Sequence, residues 1–309
     1  MDLQAQPLAI DPAKLDGLSQ RLIESHHQNN YGGAVKRLNA IRGQLAQLDW
    51  TSTPVFIVNG LKREELVAAN SAWLHELYFA SLGGDGVLCD CGLSIALERD
   101  FGSVDRWRAE FTAMAKAMGG GCGWALLSWS PREGRLLNQW AADHTQLLAG
   151  AVPILALDMY EHAYHLDFGA KAADYVDASM RNILWNGVHE RFGAAVEADG
   201  RPHAVDPAAL PTGAQLIDVR RAATFADAAD LLAGATWRDP ARVTAWSREL
   251  DASRPVLVYC FHGLDIGRST ALSLRARGFD ARFIAGGIEA CRAAGATLAP
   301  KQVQAQPLV

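Results

Sequence analysis

Two stretches of this sequence carry side chains able to do chemistry. Asp158-Met-Tyr-Glu-His162-Ala-Tyr164 sets a carboxylate and an imidazole on either side of three residues, at the end of the apolar run from Ala151 to Leu157. Such a run reads as a buried strand, and a buried charge without a partner is costly. A metal ion would satisfy both groups; an Asp–His pair capping a helix is the plainer reading of an isolated D-x-x-x-H. The second stretch is Cys260, which ends a β-rich run from Arg254 and opens the loop Phe261–Gly267. A thiolate there would sit among backbone amides and ahead of a helix N-terminus, both of which lower a thiol pKa. Asp265 in the same loop works against it, since an acidic neighbour disfavours a thiolate.

The elements that must position these residues fall into two patterns. Before residue 197 the apolar spacing predicts helices over roughly Asp16–Leu48, Arg63–Leu82 and Val104–Met118. Strands follow at Trp124–Trp129, Arg135–Ala141 and Ala151–Leu157, then helices near Lys171–Leu184 and Gly187–Val196. Helices first and a small sheet later is an α+β arrangement. The stretch 197–213, with three prolines and two glycines, reads as a linker. Beyond it, strands at Ala214–Val219 and Arg254–Cys260, a helix over Arg268–Gly278, a strand at Ala281–Ala285 and a Gly286-Gly287 turn predict a parallel α/β sheet.

Composition narrows the function. The 309 residues suffice for two domains, and half of them are apolar, as in a soluble globular protein. A formal net charge of -5 argues against general nucleic-acid binding. No apolar run reaches the length of a membrane span, and the N-terminus has no basic flank ahead of an apolar core. Five cysteines without regular spacing, with Cys89 and Cys91 lacking a second pair, fit reduced thiols in a cytoplasm rather than a zinc site.

The wider wording DMYEHAYHLDF resembles the signature of the iron/manganese superoxide dismutases. In that family both the Asp and the His, here Asp158 and His162, bind the metal. Ser25-His26-His27-Gln28, with Val35, Leu38 and Asn39 downstream, is similar to the family's first-ligand helix and implies His26 as a ligand. Trp73-Leu-His75-Glu-Leu-Tyr-Phe79 is similar to the second-ligand helix and implies His75, on a helix whose apolar stripe is read as Leu66, Trp73, Leu74 and Leu77. The likeness continues through Arg99–Ser103, Gly123-Trp124 and Trp185-Asn186, and spans roughly Gly17 to Phe192. It implies one iron or manganese ion per subunit and superoxide as the substrate. It also implies a homodimer or higher homo-oligomer in which Glu161 reaches the partner's ligand His. Three imidazoles and a carboxylate suit an ion that changes oxidation state. Both metals accept the same four ligands, so the choice between them stays open.

The sequence departs from the family in three places. Many relatives carry a Gln that hydrogen-bonds the metal's solvent ligand; here His144 in Ala141-Ala-Asp-His-Thr-Gln146 takes that place. Tyr160 stands where a Trp is usual, and His165 where a Tyr is usual. Asn30 and Ala34 stand where relatives place a gateway His and Tyr, with Tyr31 one helical turn before Ala34 as the substitute gateway. An alternative register would pair Tyr31 and His27 with the gateway pair, but it would leave Ile23 at the ligand position. Trp124 and Trp185 read as cavity-wall or core aromatics, and His189 and His203 as surface residues.

The C-terminal stretch from Ala214 to Gly295 resembles a rhodanese domain, on Leu216-Ile-Asp218-Val-Arg220, the Cys260 loop and Ile284-Ala-Gly286-Gly287-Ile288. The resemblance implies that Cys260 carries a persulfide for a thiol or other thiophilic partner, with Arg268 the candidate for holding an anionic donor. Cys291, where such domains often have Trp, reads as a buried apolar residue. Together these readings imply a dismutase domain over 1–196, an α-helical hairpin followed by an α+β part. A linker at 197–213 and an α/β rhodanese-like parallel sheet over 214–309 complete it. The expected function is superoxide dismutation with an appended rhodanese-like domain. The alternatives are a sulfurtransferase acting through Cys260 on a scaffold, and a metal-binding redox sensor of low turnover.

Overall fold

The computed structural model describes residues 2–301; Met1 and the last eight residues of the expected second domain lie outside the described residues. The first long helix is interrupted where a single helix is expected. Helix α1 (Gln20–Ser25) is capped by Ser19, whose hydroxyl accepts the Leu22 amide, and leads into a π-helical turn at His26–Tyr31 and then α2 (Gly32–Leu45). In the turn the Gly32 amide reaches back to the His27 carbonyl, so the helix accommodates one extra residue after His26.

Asp49 closes the turn out of α2 by accepting from the Thr51 amide and the Ser52 hydroxyl. Helix α3 (Val55–Phe79) then starts at Val55 rather than the expected Arg63. Val55-Phe-Ile-Val has strand-like composition, but Pro54 sets up a helix start, and among the described residues the run pairs with no strand. The expected stripe on α3 also needs correction. Leu66 and Trp73 are exposed, while Ala68, Ala69, Ala72, Leu74, Tyr78 and Phe79 are buried. Small residues set the packing face, a preference that apolar character alone does not reveal.

Helix α4 (Gly92–Phe101) is absent from the sequence reading, because its cap is a cysteine. Helix α5 (Val104–Ala117) precedes strands β1 (Trp124–Ser130), β2 (Arg135–Ala141) and β3 (Val152–Asp158), close to their expected bounds. They form a sheet of order β2-β1-β3 in which β1 is buried along its whole length. Short α6 (His165–Phe168), α7 (Ala172–Arg181) and α8 (Trp185–Gly200) follow.

The stretch expected as a linker is partly ordered into elements. Helix α8 runs to Gly200, and β4 (Ala204–Val205) adds an edge strand whose Ala204 lies opposite Phe283. A two-residue strand is too short to show alternation, so the prolines and glycines dominate its sequence signal. Onward come β5 (Gln215–Asp218), α9 (Ala222–Asp227), β6 (Asp230–Leu232), β7 (Thr236–Trp237) and α10 (Val243–Trp246). The chain continues with β8 (Val256–Tyr259), α11 (Asp265–Ala276), β9 (Ala281–Ile284), α12 (Gly287–Ala293) and β10 (Leu298–Pro300).

A five-stranded sheet has order β4-β9-β8-β5-β7, with every neighbouring pair parallel. Val256 and Val258 join one core and Leu257 and Tyr259 another, so successive residues of β8 bury both faces. That explains the unbroken apolar wording of the strand that delivers Cys260.

The chain forms two compact units. One comprises the residues up to Cys89 with 108–128 and 137–188; the other comprises 90–107, 129–136 and the residues from His189 onward. Among the described residues no helix is long and apolar enough to cross a membrane.

Candidate functional site

In the first unit four separate elements deliver one cluster. His26 comes from the π-helical turn, His75 from α3, Asp158 from the end of β3 and His162 from the 3-10 turn Glu161–Ala163. One ligating atom from each lies within 4.8 Å of all the others. The three Nε2 atoms converge on Asp158 Oδ2, at 3.1 Å from His26, 3.4 Å from His75 and 3.2 Å from His162. His26, His75 and Asp158 are buried, and His162 keeps a partly exposed edge.

Backbone and hydroxyl groups fix these side chains. Asp158 Oδ1 accepts the Tyr160 amide at 2.8 Å, and its carbonyl accepts the Tyr175 hydroxyl at 2.8 Å. His75 Nδ1 lies 2.6 Å from the Ser71 carbonyl. Burial pushes the His75 pKa down to about 3, and it also lowers that of His26. For Asp158, burial alone raises the pKa, but the hydrogen bonds from His162 and His26 outweigh it and hold the carboxyl far below its usual range.

The protonation pattern tests whether a metal fits. A carbonyl only accepts, so His75 Nδ1 must carry the ring proton. The neutral ring then turns the lone pair of Nε2 towards a carboxylate oxygen 3.4 Å away, and among the described residues this buried nitrogen has no hydrogen-bond partner. Lone pair against lone pair is repulsive unless a cation lies between them. Metal–nitrogen bonds of about 2.1 Å place neighbouring donors roughly 3 to 3.5 Å apart, which matches the spacing of this cluster.

His144 lies in the turn after β2, beside the cluster. Trp124 Nε1 donates to its Nδ1 at 2.9 Å, and Asn70 Nδ2 donates to its carbonyl at 2.5 Å. An indole N–H only donates, so neutral His144 carries its proton on Nε2 and offers a fixed donor there. Burial lowers the His144 pKa, which keeps the ring neutral. Tyr160 is stacked between two imidazoles, with ring centroids 4.8 Å from His144 and 5.4 Å from His162. No local sequence pattern announces that sandwich.

Tyr31 lies at the same centre. Its ring faces His75 with centroids 6.4 Å apart; its hydroxyl donates to Glu76 at 2.8 Å and accepts the Gln6 amide at 2.7 Å. Burial and the Glu76 carboxylate push its pKa up to about 12, against the lowering effect of the Gln6 amide. Ala34 is buried, and Glu161 and His165 are exposed.

In the second unit a cavity of about 350 Å³ is lined by Cys91, His189, Arg220, Cys260, Phe261 and Asp265, among others. Three expectations change here. Cys260 is not activated by its loop. Its sulfur does receive the amides of Gly267, Leu264 and Gly263, but burial outweighs them and pushes the thiol pKa up, with Asp265 adding to the rise. His189 is more than a surface residue: it is still partly exposed, but its Nε2 lies 2.6 Å from Asp265 Oδ2, and hydrogen bonds to Asp265 and Cys91 raise its pKa to about 10. Arg268 pairs with Glu197 and lies over the Phe283 ring, so it does not line the cavity. Arg220 does line it. Buried and forked onto Asp218, it keeps Nη1 without a hydrogen-bond partner. Cys291 is buried in the apolar core, as expected.

Gly287 explains one part of the loop's wording. Its φ of 61° and the Cys260 carbonyl 2.4 Å from where a Cβ would lie exclude any side chain there. The pairing of Cys91 with His189 bridges almost a hundred residues, and no local motif in the sequence announces it.

Similarity to known proteins places most of the chain in one family. The model of the iron/manganese superoxide dismutases, C-terminal domain, matches residues 90–191. The chain is 65% identical over 193 residues to the superoxide dismutase [Fe] of Cupriavidus metallidurans, covering 62% of this chain and 98% of that protein. It is 36% identical to the superoxide dismutase [Fe] of Aquifex pyrophilus, covering 61% of this chain and 91% of that protein. With the superoxide dismutase [Mn] 1 of Halobacterium salinarum it shares 33% identity, covering 63% of this chain and 98% of that protein. With relatives matched over nearly their whole length, the chain belongs to the iron/manganese superoxide dismutase family.

Proposed function

We propose that this protein is a superoxide dismutase with one iron or manganese ion per subunit, held by His26, His75, Asp158 and His162. The reading rests on the convergence of three imidazole nitrogens on one carboxylate oxygen, with the His75 lone pair turned towards it. The 65% identity to a dismutase supports it. When bound, the ion supplies the one-electron couple that takes one superoxide to dioxygen and a second to hydrogen peroxide.

The chain's own residues set the conditions for that couple. The Ser71 carbonyl fixes the His75 ring, and the Tyr160 amide and Tyr175 hydroxyl fix Asp158. His144, held in one tautomer by Trp124, is the donor that tunes the centre where many relatives use Gln. Tyr31 closes the face of His75 and serves as the gateway residue. The deciding experiment is dismutation by the purified protein, normalised to iron and manganese content, with His162→Ala as control. Activity proportional to metal and lost in the variant is expected; bound metal without turnover would leave a sensing role instead.

The second part of the reading is that a rhodanese-like sulfurtransferase domain, expected over 214–309 behind a linker at 197–213 and extended by the edge strand β4 at Ala204–Val205, uses Cys260 as the sulfur carrier. A parallel sheet that delivers a cysteine to a loop of converging amides supports it, as does the cavity beside Cys260. The unpartnered Nη1 of Arg220 suits an anionic donor. Thiocyanate formation from thiosulfate and cyanide, abolished in Cys260→Ser, is the expected result; equal turnover by the variant would overturn it. Exposed Trp50, Val55 and Phe56 support self-association as a homodimer or larger homo-oligomer. Cysteines held as thiols fit a cytoplasmic protein.

A further inference from the structure

The cavity beside Cys260 holds a second thiol that no part of either proposed activity uses. Cys91 caps α4, a ten-residue helix, and its sulfur accepts the Ser94 amide while its own amide donates to the Ser94 hydroxyl at 3.0 Å. The same sulfur is hydrogen-bonded to His189, whose Nε2 lies 2.6 Å from Asp265 Oδ2. Cysteine, histidine and aspartate thus stand in series, each oriented by the next, as an activated nucleophile requires. A helix N-terminus and a neighbouring imidazolium both favour the thiolate. Gly92 lets the helix start against the carboxylate, for a Cβ there would lie 2.0 Å from Asp265 Oδ2.

Cys260 shares this cavity but has a different environment. It is buried, and the amides of Gly267, Leu264 and Gly263 point at its sulfur. Burial raises its pKa, and these amides are the groups that take up charge on the sulfur both when it attacks a donor and when it departs as a thiolate.

We propose that Cys91 is a second sulfur-carrying residue, which takes the sulfane sulfur from Cys260 by transfer within the cavity. The inference rests on the sulfurtransferase reading of Cys260. In the step, the Cys91 thiolate attacks the outer sulfur of the Cys260 persulfide. A sulfur–sulfur bond forms to Cys91 as the one to Cys260 breaks, and the electron pair leaves on the Cys260 sulfur. One sulfur atom changes hands, the proton on it travels with it or is lost to water, and no net oxidation occurs. His189 is a positioning residue that keeps Cys91 in its attacking form, and Asp265 keeps His189 charged.

The test is to incubate the full-length protein with thiosulfate labelled in its outer sulfur, alkylate it, and map the labelled sulfur by peptide mass. Wild type is expected to carry label on both Cys260 and Cys91. Cys260→Ser should carry it on neither, and Cys91→Ser, in which serine keeps the helix cap, on Cys260 alone. His189→Gln should slow labelling of Cys91 but not of Cys260. The loss is roughly threefold per unit rise in thiol pKa, because a smaller thiolate fraction is partly offset by greater nucleophilicity. Label confined to Cys260 in wild type overturns the relay and leaves the sulfurtransferase reading intact. Label on Cys91 in Cys260→Ser overturns the relay by showing direct loading. Label on neither cysteine of wild type removes the sulfurtransferase reading and the relay together.

Discussion

The proposed metal cluster and the thiol cavity both set imidazoles against a buried or half-buried carboxylate, yet they favour opposite charge states. His75 faces Asp158 and is driven to a pKa of about 3; His189 faces Asp265 and is raised to about 10. Burial decides the first case. His75 is 1% exposed, its Nδ1 proton is committed to the Ser71 carbonyl, and other imidazoles crowd it. Direct hydrogen bonding decides the second. His189 keeps part of its surface in solvent, touches the carboxylate at 2.6 Å and gains a sulfur neighbour. With His26 and His75 held neutral the first site is ready for a cation, whereas a charged imidazolium in the second favours a thiolate. The same pair of residue types serves either purpose according to how far water is excluded.

The most severe way to break this comparison is to remove the nitrogen with the exposed lone pair. His75→Ala is expected to lose metal and superoxide removal together, checked by metal content per chain alongside the activity. Retention of a full metal complement would contradict the ligand role. A smaller effect comes from releasing the tautomer lock. Trp124→Phe deletes the N–H that holds His144, and activity per bound metal should fall by about 10- to 100-fold, the range for losing an outer-shell partner. Unaltered activity per metal would show that His144 does not tune the centre.

In the other unit, Gly92→Ala puts a methyl group against Asp265 and is expected to destabilise the fold by roughly 1–3 kcal/mol, measured by urea unfolding. The mildest effect is a pH dependence. His189 has a folded pKa raised above the unfolded value near 6.5, so its stabilisation is complete below that pH and is lost as pH rises through about 10. Unfolding midpoints measured across this window should decline less steeply in His189→Gln than in wild type. Identical slopes would mean that the ion pair contributes nothing to folding.

The contrast also shows what a sequence displays. Asp158 and His162 were readable because they adjoin each other and end an apolar run, and His26 and His75 because whole-helix wording resembled a known family. The parallel strands at Gln215–Asp218 and Val256–Tyr259 were readable from their unbroken apolar residues. What stayed hidden depended on packing across long separations. The exposure of Trp73, the burial that raises the Cys260 thiol, and the meeting of Cys91 with His189 and Asp265 are fixed by which elements touch, and no local pattern encodes them. The fold class was therefore nearer the surface of the sequence than the electrostatics of either site.

The π-helical turn at His26–Tyr31 acts on the proposed first ligand as a clutch acts on a drive shaft. It takes up one residue between the Ser19-capped segment and α2 without turning either. Deleting one residue within it, Gln28 for example, would restore an ordinary helix and keep the phase of both ends. The same deletion inside α2, where no wide turn absorbs it, would rotate everything upstream by about 100°. His26 would then swing off the centre with its own codon untouched. The proposed metal site thus has a silent dependence on helix length that a survey of ligand identities alone would miss.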